Sequence, residues 1–297
     1  MNFKNVTVAG SGVLGYQIAF QTAFHGFNVV VYDIHDQALD AAKAKFYQLC
    51  EHYKKDVNAT QEQLDATFQR LSYQSNLAEA VKDADLLIEA VPEDPVIKQK
   101  FYEQVAELAP EKTIFATNTS TLLPSQFAQY TGRPEKFLAL HFANLIWVNN
   151  MAEIMKHEGT DPQVFDMVVE FAKAIDMLPL PIYKEQPGLL LNSMLVPYCI
   201  SAISLWVNEI SDPHTIDKTW MKSFGSPKGP FALLDIIGIN TVYNVALLNV
   251  DTHPDMKRVL VKLQTEFIDQ GHLGLPTGKG FYDYPNPAYE AENFLKQ

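Results

Sequence analysis

Two groups of residues have types and spacings that could do chemistry. Gly10, Gly12 and Gly15, with Ser11, Val13 and Leu14 between them, form a G-x-G-x-x-G turn, and Asp33 follows within the next twenty or so residues. Glycines at these positions let a backbone approach a pyrophosphate, and a helix beginning there turns its positive end to the anion. An acid at Asp33 accepts hydrogen bonds from ribose hydroxyls and repels a 2′-phosphate, which points to NAD rather than NADP. The second group is His141 and Glu153, twelve positions apart, each on a β-prone segment. An imidazole that titrates near neutrality can take the proton of an alcohol, and a carboxylate fixes which ring nitrogen is free. A histidine ending an apolar strand also reads as a structural group satisfied by its neighbours. Its strand-end position favours chemistry, because open α/β sheets place their ligand crevice there.

The elements that must hold these residues follow from the pattern. Residues 6–9 are short, apolar and β-prone, 16–25 read as a helix closed by Gly26, and 28–32 form a second β-prone run ending at Asp33. Strand, turn, helix, strand and acid arrive in the order a dinucleotide fold requires. Residues 37–75 read as a polar helical excursion. Strands are expected at 85–91, 113–117, 137–142 and 151–155, and helices at 92–109 and 162–176. This alternation implies a doubly wound parallel sheet of Rossmann type in the α/β class. Pro179, Pro181 and Pro187-Gly188 punctuate the chain, and 189–209, 212–224, 230–249 and 254–270 all read as helices. The expected domains are therefore a dinucleotide-binding domain over 1–184 and an all-helical domain over 185–297.

Several stretches resemble the L-3-hydroxyacyl-CoA dehydrogenase family, which includes bacterial 3-hydroxybutyryl-CoA dehydrogenases. They are Ile88-Glu89-Ala90-Val91-Pro92-Glu93, Asn118-Thr119-Ser120-Thr121-Leu122, His141-Phe142-Ala143-Asn144 and Pro187-Gly188-Leu189-Leu190-Leu191-Asn192. Gly229-Pro230-Phe231-Ala232-Leu233-Leu234-Asp235 and Thr277-Gly278-Lys279-Gly280-Phe281-Tyr282 extend the resemblance almost to the end of the chain. It implies oxidation of the 3-hydroxyl of an acyl thioester, with hydride passing to NAD. It makes His141 the general base, Glu153 its orienting carboxylate, and Ser120 and Asn192 hydrogen-bonding partners of the reacting oxygen or of the histidine. Glu93, Lys98 and Asn118 fall on the cofactor side of the family's site. Lys54 and Lys55 lie where the excursion can meet the phosphates of CoA, although a solvated helix face would look the same.

The pattern also departs from the family. Ala143 and Leu145 replace a Phe and a Pro, Ile146 and Trp147 follow, no lysine precedes Glu153, and Ser193 stands where an Arg is common. The loop after the presumed base is rebuilt while the four proposed catalytic residues remain. A bulky Trp147 near the site predicts a shortened acyl pocket and a short-chain substrate such as 3-hydroxybutyryl-CoA. One alternative is a free 3-hydroxy acid, as in relatives resembling gulonate or carnitine dehydrogenases. Another is a non-catalytic nucleotide-binding or structural protein resembling lens crystallins of related fold.

Bulk properties narrow the classes. A chain of 297 residues, 47% hydrophobic and 20% charged, can bury two cores. The net charge of -12 is the wrong sign for nucleic-acid phosphates. The two cysteines, Cys50 and Cys199, cannot make a disulfide framework or a metal site by spacing, which fits reduced thiols in cytoplasm. The opening MNFKNVTVAG enters a strand at once and predicts no secretory signal. Residues 186–208 carry no charge and are long enough to span a bilayer, but two prolines and several polar residues favour a buried interface helix. With the apolar stretch 236–250, that helix predicts a homodimer through the second domain.

Overall fold

The computed structural model describes residues 3–296, which form two compact units that meet in sequence between Leu191 and Asn192. The first unit runs β1 (Asn5–Ala9), α1 (Gly15–Phe24), β2 (Asn28–Tyr32), α2 (Asp36–Asp56), α3 (Gln61–Arg70), β3 (Leu71–Gln74), α4 (Leu77–Val81), β4 (Leu86–Glu89), α5 (Pro95–Leu108), β5 (Ile114–Thr117), β6 (Phe137–Phe142), β7 (Met151–Met155), α6 (Pro162–Ala174) and β8 (Leu178–Ile182). The strands make one sheet in the order β3-β2-β1-β4-β5-β6-β7-β8. The order reverses between β1 and β4, and a doubly wound sheet opens its ligand crevice at such a reversal.

The central strands are β-branched or leucine-rich because helices cover both faces. Val6, Val8, Val29, Val31, Leu86 and Ile88 are essentially fully buried, each contributing about 1.5–3 kcal/mol by leaving water. Helix α2 buries Leu39, Ala42, Phe46, Leu49 and Tyr53 at helical spacing and leaves its charged residues outside. Asp94 caps α5 through Val96 and Ile97 N–H, with Pro95 in the first turn.

The sheet is larger than the sequence pattern predicts. Leu71–Gln74, which the pattern assigns to the end of the helical excursion, is an edge strand parallel to β2. Leu178–Ile182, expected as proline punctuation, is the opposite edge strand, parallel to β7. Proline is tolerated at an edge because the ladder needs hydrogen bonds on one side only. The sheet is also mixed, since β6 and β7 are antiparallel, with His141 directly opposite Glu153. An antiparallel pair needs no crossover helix, so the short loop 143–150 can join them.

The second unit holds most of α7 (Leu191–Val207), with α8 (Pro213–Phe224), α9 (Pro230–Ile237), α10 (Ile239–Leu248) and α11 (Met256–Leu263). Gly238, at φ +92°, splits the helix expected over 230–249 into α9 and α10, which bend by 101°. No single helix among the described residues is long and apolar enough to cross a membrane; α9 and α10 pass such a test only when taken together across their bend. The core gathers Ile203, Trp206, Phe231, Leu234, Val259 and Leu263. Asp217 and Asp235, both fully buried, stitch it together. Asp217 accepts Phe231 N–H at 2.8 Å, Ala232 N–H at 3.0 Å and the Tyr282 hydroxyl at 2.9 Å. Asp235 accepts Phe281 N–H at 2.9 Å, Tyr282 N–H at 2.8 Å and the Tyr284 hydroxyl at 3.2 Å. A Cβ on Gly229 would lie 2.4 Å from Asp217 Cγ, and one on Gly280 would lie 2.0 Å from Asp235 Oδ1. Gly229 and Gly280, one from each second-unit motif, therefore make room for these carboxylates.

Candidate active site

The glycine turn sits at the carboxyl end of β1, beside the residues that follow β4. Gly10 has φ +99°, and a Cβ there would lie 2.4 Å from the Ala90 carbonyl oxygen. A Cβ on Gly15 would strike the Gly10 carbonyl, whereas one on Gly12 would meet nothing within 4 Å. The first and third glycines thus serve backbone packing, and the second borders open space where a pyrophosphate can approach. Asp33 Oδ2 accepts the Ser11 amide at 2.9 Å and the Ser11 hydroxyl at 2.7 Å, which fixes the carboxylate toward the turn. A cavity of about 600 Å³ runs along these residues, lined by Gly12, Val13, Asp33, Ile34, Val91 and Phe101 among others. Apolar walls and one anchored carboxylate fit an adenosine, and the open turn with the α1 N-terminus fits its phosphates.

His141 lies near the end of β6, and its neighbour across the ladder is Glu153. Their side chains meet at 3.0 Å, His141 Nδ1 to Glu153 Oε2, with 11% and 3% of side-chain surface exposed. Glu153 Oε1 also accepts Leu190 N–H at 2.8 Å and Leu191 N–H at 2.9 Å. Burial alone would raise the Glu153 carboxyl, but the bonds from His141, Leu191 and Leu190 outweigh it and hold it below its usual range. An ionised carboxylate only accepts, so His141 Nδ1 carries the hydrogen and donates it. Nε2 is then the ring atom left for a substrate. Another histidine shows the contrast: His157 places Nε2 2.9 Å from the Pro134 carbonyl while its Nδ1 accepts Gly159 N–H, and it is a structural residue.

The loop after β5 brings further residues to the same edge. Asn118 Oδ1 accepts Phe142 N–H at 3.0 Å, tying this loop to the residue after His141. Ser120 is partly buried, and its N–H donates to Glu93 Oε1 at 3.2 Å. Lys98, expected on the cofactor face, has no exposed surface; its ammonium lies 2.7 Å from Glu89 Oε1 and 3.2 Å from Glu93 Oε2. Asn192, adjacent in sequence to Leu191, stands in the first turn of α7. Lys54 and Lys55 occupy the exposed last turn of α2, with Lys54 paired to Glu51 at 3.1 Å.

Trp147 is buried in the loop after β6. Its Nε1–H donates to Asp56 at 2.9 Å, and the ring packs on Tyr53 and His52, so it fastens the rebuilt loop to the end of α2. Gln17 fastens the other end, donating to Asn144 Oδ1 at 2.7 Å and accepting Leu145 N–H at 2.9 Å. Gln17 and Glu89 were not among the expected site residues. The available signals were a polar side chain on the buried face of α1 and an acid closing an otherwise apolar strand.

Comparison with known proteins accounts for the arrangement. Residues 5–186 match the family described as 3-hydroxyacyl-CoA dehydrogenase, NAD binding domain, and residues 188–284 match its C-terminal domain. The chain is 32% identical over 289 residues to the mitochondrial hydroxyacyl-coenzyme A dehydrogenase of Rattus norvegicus, covering 95% of this chain and 91% of that one. It resembles the structure of (S)-3-hydroxybutyryl-CoA dehydrogenase from Ralstonia eutropha with a TM-score of 0.84 and 27% identity, over 96% of this chain and all of that one. It also resembles a diketoreductase, described as acting on dicarbonyl compounds, with a TM-score of 0.92 and 53% identity over 96% of this chain and 100% of the other. With its glycine turn, anchored Asp33 and matched NAD-binding domain, this chain belongs to the 3-hydroxyacyl-CoA dehydrogenase family of NAD-dependent oxidoreductases.

Proposed function

We propose that the chain interconverts a short 3-hydroxyacyl thioester of CoA and its 3-oxo form, with His141 as the general acid–base. The observation that carries this reading is the His141–Glu153 pair, held at the carboxyl end of the strand that lies beside β5 and its Ser120 loop. The Gly10–Gly15 turn and Asp33 would hold NAD, which would supply the hydride acceptor for oxidation and, reduced, the hydride donor for the reverse direction. His141 Nε2 takes the hydroxyl proton in oxidation and gives it back in reduction. Glu153 orients the ring through Nδ1 and steadies the imidazolium, while its second oxygen stays pinned by two backbone amides. Ser120 supplies a hydrogen bond to the reacting oxygen as it gains charge, a role that the family resemblance also gives Asn192. On the same reading, Lys54 and Lys55 meet the CoA phosphates and the second unit pairs with another copy.

A second reading is favoured by the diketoreductase likeness: reduction of a dicarbonyl compound that carries no CoA. The two substrates share their chemistry, since a 3-oxoacyl thioester is itself a dicarbonyl. The short chain is supported by the bulk of Trp147 in the loop after His141 and by the likeness to the 3-hydroxybutyryl-CoA dehydrogenase. The test is NADH oxidation with acetoacetyl-CoA beside ethyl acetoacetate and a diketo ester. The CoA reading expects kcat/KM for the thioester to lead by at least ~10-fold, about 1.4 kcal/mol of transition-state binding. The reverse order selects the second reading, and no turnover of any of the three ends both.

A further inference from the structure

We infer that Glu89 is a positioning residue for the reaction, acting through Lys98 and Glu93 on the loop that carries Ser120. This rests on the oxidoreductase reading above for its kinetic consequence, but not for its geometry.

Glu89 is the last residue of β4 and has no exposed surface. A carboxylate has about four acceptor sites, and four donors meet this one. Oε1 takes Lys98 Nζ at 2.7 Å and Val91 N–H at 2.9 Å; Oε2 takes the Tyr102 hydroxyl at 2.9 Å and the Thr117 hydroxyl at 2.7 Å. Glu89 is therefore held from β5, from α5 and from the turn that follows it. Lys98, buried on α5, spans from this anchor to Glu93 Oε2 at 3.2 Å. The other oxygen of Glu93 collects the loop: the hydroxyl of Thr119, the hydroxyl of Thr121 at 3.0 Å, Ser120 N–H at 3.2 Å and Thr121 N–H at 3.3 Å. Three consecutive residues thus hang on one carboxylate oxygen, and that carboxylate is oriented by a buried ammonium whose own position Glu89 sets.

The burial of Lys98 decides between two roles. A lysine that touched a ligand would show some surface toward it, and this one shows none. Its charge is spent inside the protein, where an unpaired ammonium would be expensive. The loop is thus held by a chain of side chains rooted in the sheet, beside the backbone bond from Asn118 N–H to the Glu89 carbonyl at 2.7 Å. Asn118 ties the same loop to Phe142. Ser120 is in this way fixed from both sides relative to His141.

Glu89→Gln keeps the size and the acceptor toward Lys98 and removes the charge. Its amide can donate to the hydroxyl oxygens of Tyr102 and Thr117. Two readouts test it. In cofactor-free protein, hydrogen exchange of the peptide covering 118–122 should rise at least roughly tenfold while peptides of β1 and β2 stay protected. In turnover, kcat should fall roughly tenfold with little change in the Kd for NADH read by fluorescence. In a Ser120→Ala background the further loss should be under about twofold, because effects routed through one group are not additive. Fully additive losses, unchanged exchange at 118–122, or a loss confined to NADH affinity would overturn the assignment. Should Glu89→Gln not yield folded protein, the double variant Glu89→Gln/Lys98→Met removes the buried anion and cation together; the same measurements apply to it, and the same results support or overturn the role. A wild-type protein that turns over no 3-oxo or 3-hydroxy substrate would defeat the proposed function, and the exchange measurement would still decide the role of Glu89.

Discussion

The hydrogen-bonded carboxylates of the two units meet different partners. In the first unit, Glu153 faces an imidazole and two amides, and Glu93 faces an ammonium, hydroxyls and amides. In the second, the hydrogen bonds described for Asp217 and Asp235 come from backbone N–H groups and tyrosine hydroxyls. The consequence is opposite in sign. Burial works to raise all four, but hydrogen bonds and charge hold Glu153 and Glu93 below the usual carboxylate range. Burial prevails for Asp217 and Asp235, which lie above it. A carboxylate kept ionised beside a base can orient that base and steady its charge. One that meets only neutral donors is a staple between segments. Position in a family motif does not separate the two kinds, because Asp235 closes one such motif and Glu93 closes another.

The contrast between the units breaks first at His141. If the Glu153 pair is chemical, His141→Gln should lower turnover by at least ~10²-fold, the usual scale for a positioned acid–base, with NADH affinity unchanged. Glu153→Gln should cost less, roughly 10- to 10²-fold in kcat/KM, because the base remains and only its orientation and charge partner are weakened. Steady-state assays beside fluorescence titration of NADH separate these from a folding defect. A Glu153→Gln enzyme with full turnover would place that carboxylate among the staples.

How much of the fold and the site was legible in the sequence depended on whether local residues or distant pairing decided the outcome. The glycine turn and Asp33 could be read because strand, turn and helix are contiguous, and the twelve-residue spacing of His141 and Glu153 is that of two strands joined by a short loop. Leu71–Gln74 and Leu178–Ile182 could not, since each becomes a strand only by pairing at a sheet edge, against its polar or proline-rich composition. Trp147 was legible only in part, for a similar reason. Its bulk was visible, but the direction of its ring is set by Asp56 and Tyr53, almost a hundred residues earlier in the chain. The family resemblance sets Lys98 on the cofactor side, and nothing local announces that Glu89 draws it inside.

At the staples, the effect should fall on stability and spare chemistry. Asp235→Asn turns one acceptor into a donor facing either Phe281 N–H or Tyr282 N–H and the Tyr284 hydroxyl, leaving at least one buried group without its partner. The expected cost is about 1–3 kcal/mol in urea unfolding, with kcat per folded molecule unchanged. Asp217→Asn should behave alike through the N-terminus of α9. Loss of turnover at unchanged stability in either variant would mean that a second-unit carboxylate takes part in catalysis.

The finest test uses the opposite signs of the two kinds of carboxyl. A carboxyl raised in the folded state contributes stability that is fully present below its unfolded pKa and is lost as pH rises through its folded value. Asp235 has such a raised carboxyl, from burial and from the nearby Asp217 charge, against opposing hydrogen bonds from Phe281, Tyr282 and Tyr284. Asparagine does not titrate, so the stability deficit of Asp235→Asn relative to the parent should widen as the buffer is taken from neutral pH toward about 4, the ordinary carboxylate range. Glu153 is lowered, so its contribution is present above its unfolded pKa and fades as pH falls through its folded value. The deficit of Glu153→Gln should therefore narrow once the titration is carried below about 4.5, the ordinary value of a glutamate, toward its lower folded value. Unfolding free energies of the two variants and the parent, measured across this pH range, would show deficits moving in opposite directions. Parallel movement would mean that partner chemistry does not distinguish the carboxylates of the two units.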